Sequence, residues 1–398
     1  MDQYQYDVCV IGGCGHVGLP LAIAFANAGK KVSIYDASEK NVMTVRQGTM
    51  PFEEEGAEVL LKKNLGKNLF VFSDDAVIRE SRFLIVVIGT PTDRHLNPEF
   101  TKFKGLFEGI IDLIRDDQHV ILRSTVFPGT SDNIRTYLKE KGKAPRVSFC
   151  PERILQGKAM EELCSLPQII GAYDDASWED AKALFLLLAP EVVRLTPLEA
   201  EISKLFTNVW RYIQFSIGNQ FYQIATEHDL DFYKIYNALT HHYPRAKDFA
   251  RAGFAAGPCL FKDTAQMVAY TGNTFFLGNA AILLNEGLPN FIVKRLHDKH
   301  ALSAKTIGIL GMTFKANIDD KRDSLSYKLK NILEVEAKKV LCSDVYVHEE
   351  GFVSPEVLIR DSDIVVVGAP HREYAGLRIP EEKVLVDTWN FFGRGGLF

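Results

Sequence analysis

Cysteine is scarce in this chain of 398 residues, and the six cysteines are scattered along it. No two of them form a Cys-x-x-Cys pair. This distribution argues against a disulfide framework and against a zinc site, so no metal is expected. We therefore expect free thiols in a reducing, cytoplasmic environment.

Long apolar runs and an excess of basic charge are missing as well. No stretch reaches the ~18 apolar residues of a membrane span, and the opening MDQYQYDVCVIGG resembles a polar lead into a strand rather than a signal peptide. The formal net charge is -5, so no basic field favours nucleic acid. Neither a membrane nor a nucleic acid is expected as a partner.

Short apolar runs alternate with helical patterns, and this alternation predicts the fold class. The length indicates two or three domains. We predict an α/β protein in which two Rossmann-like, doubly wound units are joined by a long central helix and a helical middle domain, with boundaries at 1–196, 197–300 and 301–398. The predicted strands are 6–11, 32–35, 83–88, 120–122, 147–149, 306–310, 364–367 and 384–386, and a first helix is expected over 19–28.

The middle of the chain predicts one long helix over 198–227. This segment contains no proline and a single glycine, Gly218. Its apolar residues recur at helical spacing and form a broad stripe. The stripe is either a dimer seam or domain core, and the sequence leaves both open. Its members are Ile202, Leu205, Phe206, Val209, Ile213, Ile217 and Phe221.

A glycine-rich turn follows the first predicted strand and opens the first helix. Its residues are Gly13, Cys14, Gly15, His16, Val17 and Gly18. We assign Gly13 to the tight turn, Gly15 to close approach of a pyrophosphate, and Gly18 to packing of the helix on the strand. The helix N-terminus offers N–H groups to phosphates.

Asp36 ends the next strand and discriminates between NAD and NADP. Its carboxylate would accept hydrogen bonds from the adenosine ribose and repel a 2′-phosphate, which favours NAD over NADP. Flavin binding shares the same fingerprint, and a glycine-rich turn without a ligand is the other alternative.

Cys259 is the candidate nucleophile among the thiols. A Gly/Pro loop over 253–258 leads to it and into a helix whose first turn carries Lys262 and Asp263. A thiol near a helix N-terminus and a lysine can have a lowered pKa and act as a nucleophile. The other cysteines are interpreted as small buried hydrophobic residues, except that Cys14 can line the cofactor pocket.

At this point the whole chain resembles the UDP-sugar 6-dehydrogenase family, which contains UDP-glucose and UDP-N-acetylhexosamine dehydrogenases. Seven motifs match the family in order. They are GGCGHVGLP at the start, Gly89-Thr90-Pro91-Thr92, Ser124-Thr125-Val126 with Pro128-Gly129-Thr130, Pro151-Glu152-Arg153, Glu201 with Lys204 and Asn208, Cys259 with Lys262-Asp263, and GMTFKANIDDKRDS over 311–324.

The resemblance implies a four-electron oxidation of the C6 alcohol of a UDP-hexose to a carboxylate, with two NAD reduced and a covalent bond to Cys259. It implies that Lys204 and Asn208 stabilise an oxyanion and that Asp263 transfers protons with an ordered water. It further implies that Glu152 is the acid/base group for thioester hydrolysis, with Thr125 positioning water. Because Lys204 and Asn208 are four residues apart, one helix face would carry both.

Further site residues follow from the same resemblance. The cofactor would contact Thr90, Pro91, Thr92, Thr125 and Arg322 in addition to the glycine turn and Asp36. The UDP-sugar would contact Glu152, Arg153, Lys204, Asn208, Arg245, Gly257 and Lys315, with the nucleotide on the last domain. Arg245 would reach the site of a neighbouring protomer, and a homodimer is expected.

Two features depart from the family or leave a choice open. Lys262-Asp263 favours the UDP-glucose branch, whereas Tyr243-Pro244-Arg245 favours the N-acetylhexosamine branch. The sugar is therefore undecided between glucose and an N-acetylhexosamine.

Other functions also stay open at this point. A two-electron hydroxy acid dehydrogenase would leave Cys259 and the region 306–398 unexplained. A non-catalytic nucleotide-sugar sensor would need no nucleophile. The remaining alternative is that these residues have no role in catalysis or binding. In that case Lys204, Lys315 and Arg322 are surface charges, Glu152-Arg153 is a surface ion pair, and Asp263 caps a helix.

Overall fold

The computed structural model describes residues 4–90 and 100–394. Two compact units divide the chain, with the boundary between Phe206 and Thr207. The predicted boundaries at 196 and 300 are not tested by this division and stay a prediction. Among the described residues, no helix combines the length and apolarity needed to cross a bilayer.

The first unit is built around an eight-stranded sheet. Its strand order is β3-β2-β1-β4-β5-β6-β7-β8, and only the β6–β7 pair is antiparallel. The first six strands have the order of a doubly wound dinucleotide-binding fold. The strands are β1 (Tyr6–Ile11), β2 (Val32–Tyr35), β3 (Leu69–Phe72), β4 (Ser81–Val86), β5 (His119–Leu122), β6 (Arg146–Phe149), β7 (Gln168–Ala172) and β8 (Val192–Leu195).

In the described part of this unit, seven α-helices cover the faces of the sheet, and two apolar cores lie between helices and strands. Asp174, for example, begins one helix by accepting a hydrogen bond from the Ser177 N–H at 2.7 Å. The helices are α1 (Gly18–Asn27), α2 (Glu39–Arg46), α3 (Ala57–Asn64), α4 (Phe100–Ile110), α5 (Thr130–Glu140), α6 (Ala159–Ser165) and α7 (Asp175–Phe185).

The second unit contains helices and a four-stranded parallel sheet of order β10-β9-β11-β12. Helix α8 (Pro197–Glu227) begins before the boundary and continues into this unit. The other elements are α9 (Phe232–Thr240), α10 (Leu260–Tyr270), α11 (Phe276–Lys299), β9 (Thr306–Leu310), α12 (Leu325–Glu336), β10 (Lys339–Ser343), α13 (Pro355–Asp361), β11 (Ile364–Val367) and β12 (Val384–Val386).

The predicted fold class is confirmed: the two parallel-rich sheets and the long α8 are present. Predicted strand 83–88 is shifted, because β4 ends at Val86 and the Ile88 N–H donates to the Ser124 hydroxyl instead of a neighbouring strand. The expectation that Cys164 is buried is wrong. It lies on the outer side of α6 and is exposed.

Gly218 in α8 has a packing role that the sequence did not reveal. A Cβ at this position would lie 2.6 Å from the carbonyl oxygen of Ala250 and 3.0 Å from that of Arg251. The chain at 250–251 therefore crosses the helix at a distance that only glycine allows. A second glycine inside a helix, Gly287 of α11, has nothing within 4 Å of the same point.

We predict that Gly218→Ala destabilises the protein, whereas Gly287→Ala does not. The added methyl group of Gly218→Ala must displace backbone, which costs about 1–3 kcal/mol. Gly287→Ala adds a better helix former in open space and should be neutral or stabilising by up to about 1 kcal/mol. Thermal and urea unfolding of both variants measure the difference. Equal effects of the two substitutions would contradict the close crossing.

Candidate active site

The glycine turn after β1 is shaped by a left-handed residue and by two close contacts within the protein. Gly12 takes the left-handed conformation with φ of 76°, and Gly13, which we assigned to the tight turn, follows it in the same turn. A Cβ on Gly13 would lie 2.8 Å from the Ile34 side chain. A Cβ on Gly18 would lie 2.7 Å from the Gly13 Cα, and this contact fits its assignment to packing of α1.

Gly15 differs, because no protein atom lies closer than 3.9 Å to the position of its Cβ. Packing of the protein itself therefore does not require glycine there, whereas close approach of a phosphate does. Val17 is the N-cap of α1, has no side-chain cap, and no acidic residue occupies the first turn. A helix start that no side chain caps and that carries no negative charge fits the pyrophosphate of NAD.

Asp36 lies at the end of β2 and is hydrogen-bonded to the glycine turn. One carboxylate oxygen accepts the Cys14 N–H at 2.9 Å, and the other accepts the Ser38 N–H at 2.9 Å. Each oxygen retains a lone pair for a ribose hydroxyl. The His16 ring stacks on the Phe52 ring, with the two centroids 4.1 Å apart. This contact holds the His16 side chain of the turn against Phe52.

The carboxyl ends of β4 and β5 meet beside this turn. The Ser124 hydroxyl accepts from the Ile88 N–H at 2.9 Å and donates to the Ile88 carbonyl at 2.7 Å. The Thr90 hydroxyl donates to the Thr125 carbonyl. Thr90 and Thr125 are therefore brought together, and their contact with the cofactor stays a prediction. Pro91 and Thr92, also predicted to contact the cofactor, lie outside the described residues.

Glu152 is held after β6 by a partner that sequence reasoning missed. Its carboxylate pairs with Arg123, which follows β5 and is 1% exposed. The other carboxylate oxygen accepts the N–H groups of Arg153 and Ile154 at 2.6 and 2.7 Å. Glu152-Arg153 is thus not a surface ion pair, because the Arg153 guanidinium donates to the Pro167 carbonyl. An arginine directly after a buried apolar run was the available signal.

Glu201 at the start of α8 binds the loop before α5. Its carboxylate accepts from the Gly129 N–H at 2.6 Å, and from the Ser131 N–H and hydroxyl at 2.8 and 2.6 Å. Burial raises the pKa of Glu201, and these donors oppose that rise. The contact fixes the first turns of α8, and Lys204 lies one turn further along.

Lys204 is buried rather than solvated, with 9% of its surface exposed. An ammonium group with little access to water is stabilised by a nearby anion. The interpretation of Lys204 as a surface lysine is therefore wrong, and an anionic ligand atom would satisfy the group.

Asn208 and Asp263 are brought together in the second unit. The Asn208 amide donates to one Asp263 carboxylate oxygen at 2.5 Å. The other oxygen is buried without a hydrogen bond and lies 3.7 Å from the Lys262 ammonium. Asp263 is 1% exposed. Its orphaned oxygen is a place for a water or for a substrate proton.

Cys259 is exposed and forms the N-cap of α10, one turn before Asp263. The partial positive charge of a helix N-terminus favours a thiolate there. Four other thiols contrast with it, because burial raises the pKa of Cys9, Cys14 and Cys150 to about 12 and that of Cys342 to about 11. Those four thiols stay protonated at neutral pH.

A cation also lies near Cys259. Arg322 forms a two-pronged pair with buried Asp320, with nitrogen–oxygen distances of 2.6–3.1 Å. The hydrogen bonds to Asp320 raise the pKa of Arg322, and the charge of Cys259 contributes in the same direction. Arg322 therefore stays charged beside the sulfur.

The loop before Cys259 is locked by contacts from distant parts of the second unit. Gly257 has φ of 98°, and its Cβ position lies 2.4 Å from the Phe314 ring. Its N–H donates to the Asp323 carbonyl at 3.2 Å. Gly253 lies equally close to the Trp389 ring. These contacts allow no side chain at either glycine.

The segment 311–324 carries Lys315, and its first residues are held by hydrogen bonds to a buried aspartate. Asp344 accepts the N–H groups of Met312 and Thr313 at 2.6 and 3.2 Å. Burial raises the pKa of Asp344, but hydrogen bonds from His371 and the backbone outweigh it and lower the pKa overall. The half-buried Lys315 is thereby placed on an ordered loop.

Arg245 lies apart from these clusters. It is exposed, its Nε donates to the Tyr243 hydroxyl at 2.7 Å, and its guanidinium lies 4.4 Å from the Tyr243 ring centroid. The described residues contain no group of three potential metal ligands among His, Cys, Asp and Glu. The six cysteines are all free.

Comparison with known proteins matches three regions of the chain to three domains of one family. Models of the UDP-glucose/GDP-mannose dehydrogenase family match at residues 6–188 for the NAD binding domain, 198–285 for the central domain and 308–394 for the UDP binding domain. The family expected from the sequence motifs is confirmed, and so is NAD as the cofactor.

Individual relatives agree with these matches. The chain is 28% identical to a UDP-N-acetyl-D-mannosamine dehydrogenase of Methanocaldococcus jannaschii, covering 97% of this chain and 93% of that protein. The fold matches the UDP-D-ManNAc dehydrogenase of Pyrococcus horikoshii with a TM-score of 0.89, 24% identity and coverage of 97% and 96%.

A UDP-glucose dehydrogenase of Pyrobaculum islandicum has the same fold, with a TM-score of 0.88, 23% identity and coverage of 97% and 94%. Because the three family models together span most of the sequence, the protein belongs to the UDP-glucose/GDP-mannose dehydrogenase family and is a dehydrogenase with an NAD-binding domain.

Proposed function

We propose that this protein is an NAD-dependent UDP-hexose 6-dehydrogenase that oxidises a primary alcohol to a carboxylate through a covalent bond to Cys259. The observation that carries the proposal is the position of this thiol. It is exposed at the N-cap of α10, beside a charged arginine and one turn from a buried carboxylate.

The reaction balances in four steps. NAD, when bound, accepts a hydride in each of two oxidations. In the first, the C6 alcohol loses a hydride and a proton and becomes an aldehyde. Cys259 then adds to the aldehyde carbon and forms a thiohemiacetal. The second hydride then leaves this carbon while the hydroxyl group loses its proton, which gives a thioester. Water hydrolyses the thioester and releases the acid and the free thiol.

A thiol is needed between the two oxidations because a free aldehyde would hydrate or escape. The adduct keeps the carbon in place for the second hydride transfer. Lys204 and Asn208 would stabilise the oxyanion at the reacting carbon, since fixed donors act strongly in a dry site. Asp263, with its orphaned oxygen, would hold the water that moves protons.

Thioester hydrolysis falls to Glu152 and Thr125. Glu152 would accept a proton from the attacking water, and Thr125 would position that water. The substrate would also contact Arg153, Gly257 and Lys315, with the diphosphate bound by the last domain. The cofactor would contact the glycine turn, Asp36, Thr90, Pro91, Thr92 and Thr125, together with Arg322.

For the sugar of the substrate, we propose an N-acetylhexosamine carried by UDP. Tyr243-Pro244-Arg245 favours that branch, and a UDP-N-acetyl-D-mannosamine dehydrogenase is 28% identical over almost the whole chain. Lys262-Asp263 favours glucose instead, so a direct comparison of substrates decides.

We predict two NADH per molecule of sugar acid. The purified enzyme is incubated with NAD and, separately, with UDP-glucose, UDP-N-acetylglucosamine and UDP-N-acetylmannosamine, and NADH and acid are quantified. A ratio of one NADH with an aldehyde or ketone product would overturn the four-electron reaction. No NADH with any UDP-sugar would favour a sensor.

We predict that Cys259→Ser loses turnover to acid by on the order of a thousandfold, because the serine hydroxyl is a much weaker nucleophile. Cys164→Ser is the matched control, since Cys164 is the other exposed thiol but lies near the end of α6. The control should keep wild-type turnover. Full activity of Cys259→Ser would exclude covalent catalysis.

We also propose that the enzyme is a homodimer that pairs through α8 and α9. Large apolar side chains recur on one side of α8 and are exposed: Trp210, Ile217, Phe221 and Ile224. Ile235 and Leu239 of α9 are exposed in the same unit. Apolar faces of this size on a soluble enzyme usually mark an interface. Arg245, exposed near Tyr243, would then contribute to the partner's substrate site.

We predict that Trp210→Glu combined with Phe221→Glu yields a monomer, because two charges cannot be buried in an apolar seam. Light scattering after size exclusion should give twice the 44.7 kDa chain mass for the wild type and the chain mass for the variant. Val335→Glu on α12 replaces an apolar residue that is 84% exposed and should stay dimeric. A wild-type monomer, or a dimeric double variant, would contradict the proposal.

A further inference from the structure

Arg123 is a buried cation that none of the proposed steps uses. It is 1% exposed and follows β5 directly, before Ser124 and Thr125. One guanidinium nitrogen donates to the Cys150 carbonyl at 3.1 Å and to the Gln168 side chain at 2.9 Å. These two contacts fix the plane of the guanidinium.

The second guanidinium nitrogen donates to Glu152. Because the N–H groups of Arg153 and Ile154 bind the other carboxylate oxygen, both oxygens of Glu152 are held at once. The carboxylate therefore cannot rotate, and each oxygen keeps only the lone pairs that these donors leave. Gln168 also donates to the Pro151 carbonyl at 3.1 Å, which fixes the backbone just before Glu152.

We propose that Arg123 is a positioning residue for thioester hydrolysis: it orients the Glu152 carboxylate toward the attacking water. This inference rests on the role of Glu152 proposed above. In the hydrolysis step, the water oxygen bonds to the thioester carbon while Glu152 takes its proton. The carbon–sulfur bond then breaks, Cys259 leaves as the thiolate, and the proton returns to solvent or to the sulfur.

The inference separates the reaction into steps that depend on Arg123 and steps that do not. The two oxidations need no base at Glu152, so their rates should survive a change at Arg123. Hydrolysis needs a base at a defined distance from the water, and a base displaced by about 1 Å can lower the rate about a hundredfold. Loss of Arg123 should therefore leave the enzyme acylated on Cys259.

The test uses Arg123→Met and Arg123→Lys with the active UDP-sugar and excess NAD. Acid quenching and intact-protein mass spectrometry measure the acylated fraction, and stopped-flow absorbance measures NADH. We expect hydrolysis to slow by about 10–100-fold in Arg123→Met. A burst approaching two NADH per subunit should precede the slow phase. Arg123→Lys keeps the positive charge but loses the planar guanidinium with its two donor nitrogens, so hydrolysis should slow less than in Arg123→Met.

Leu163→Ala is the matched control for general loosening. Leu163 lines the same small cavity as Arg123 and Glu152 and is buried, but it makes no polar contact with either. Its truncation leaves a void without touching the carboxylate, and we expect no acylated enzyme. Should Arg123→Met fail to fold, Gln168→Met removes one anchor of the guanidinium and should give a weaker version of the same burst.

The variant Glu152→Gln distinguishes a failure of the role proposed for Arg123 from a failure of the role proposed for Glu152. Acylation in Glu152→Gln and in the Arg123 variants, with none in Leu163→Ala, supports the inference. Acylation in Glu152→Gln alone overturns the role of Arg123 and leaves that of Glu152 intact. No acylation in Glu152→Gln overturns both. Equal slowing of both oxidations and hydrolysis in the Arg123 variants would mean that the residue is only structural.

Discussion

Buried or half-buried carboxylates that accept backbone N–H groups hold the loops on which the proposed site depends. A loop has N–H groups that no strand or helix satisfies, and leaving them buried and unpaired costs free energy. Asp36 binds the glycine turn, Glu201 binds the loop before α5, and Asp344 binds the start of 311–324. Glu152 binds its own two successors in the same way. Each ordered loop then carries side chains with proposed roles.

This arrangement gives some carboxylates two functions. Asp36 fixes the turn that would receive the pyrophosphate and retains lone pairs for the ribose. Glu152 fixes its own loop and is the proposed base for hydrolysis. A change at either residue would disturb loop geometry and chemistry together. For that reason the proposed role of Arg123 is tested by the step that fails and not by the loss of activity alone.

The thiols show how burial divides reactive from inert groups of the same kind. Burial raises the pKa of four thiols, whereas Cys259 lies exposed at a helix N-terminus near Arg322. Composition treats all six alike. The motif around Cys259 distinguished this thiol from the others because the Gly/Pro loop and the following acidic residue predict a helix start.

The sequence by itself determined the α/β class, many of the strands, the long central helix, the glycine turn, the candidate thiol and the family, since periodicity, turn residues and motif spacing are local properties of the chain. Only the tertiary structure decided that Gly12 takes the left-handed conformation, that Arg123 pairs with Glu152, that Asn208 binds Asp263, and that Glu201 caps α5. These contacts join residues that lie far apart in the chain or depend on the path of a neighbouring strand. No local pattern encodes such a pairing, because it exists only once the chain has packed.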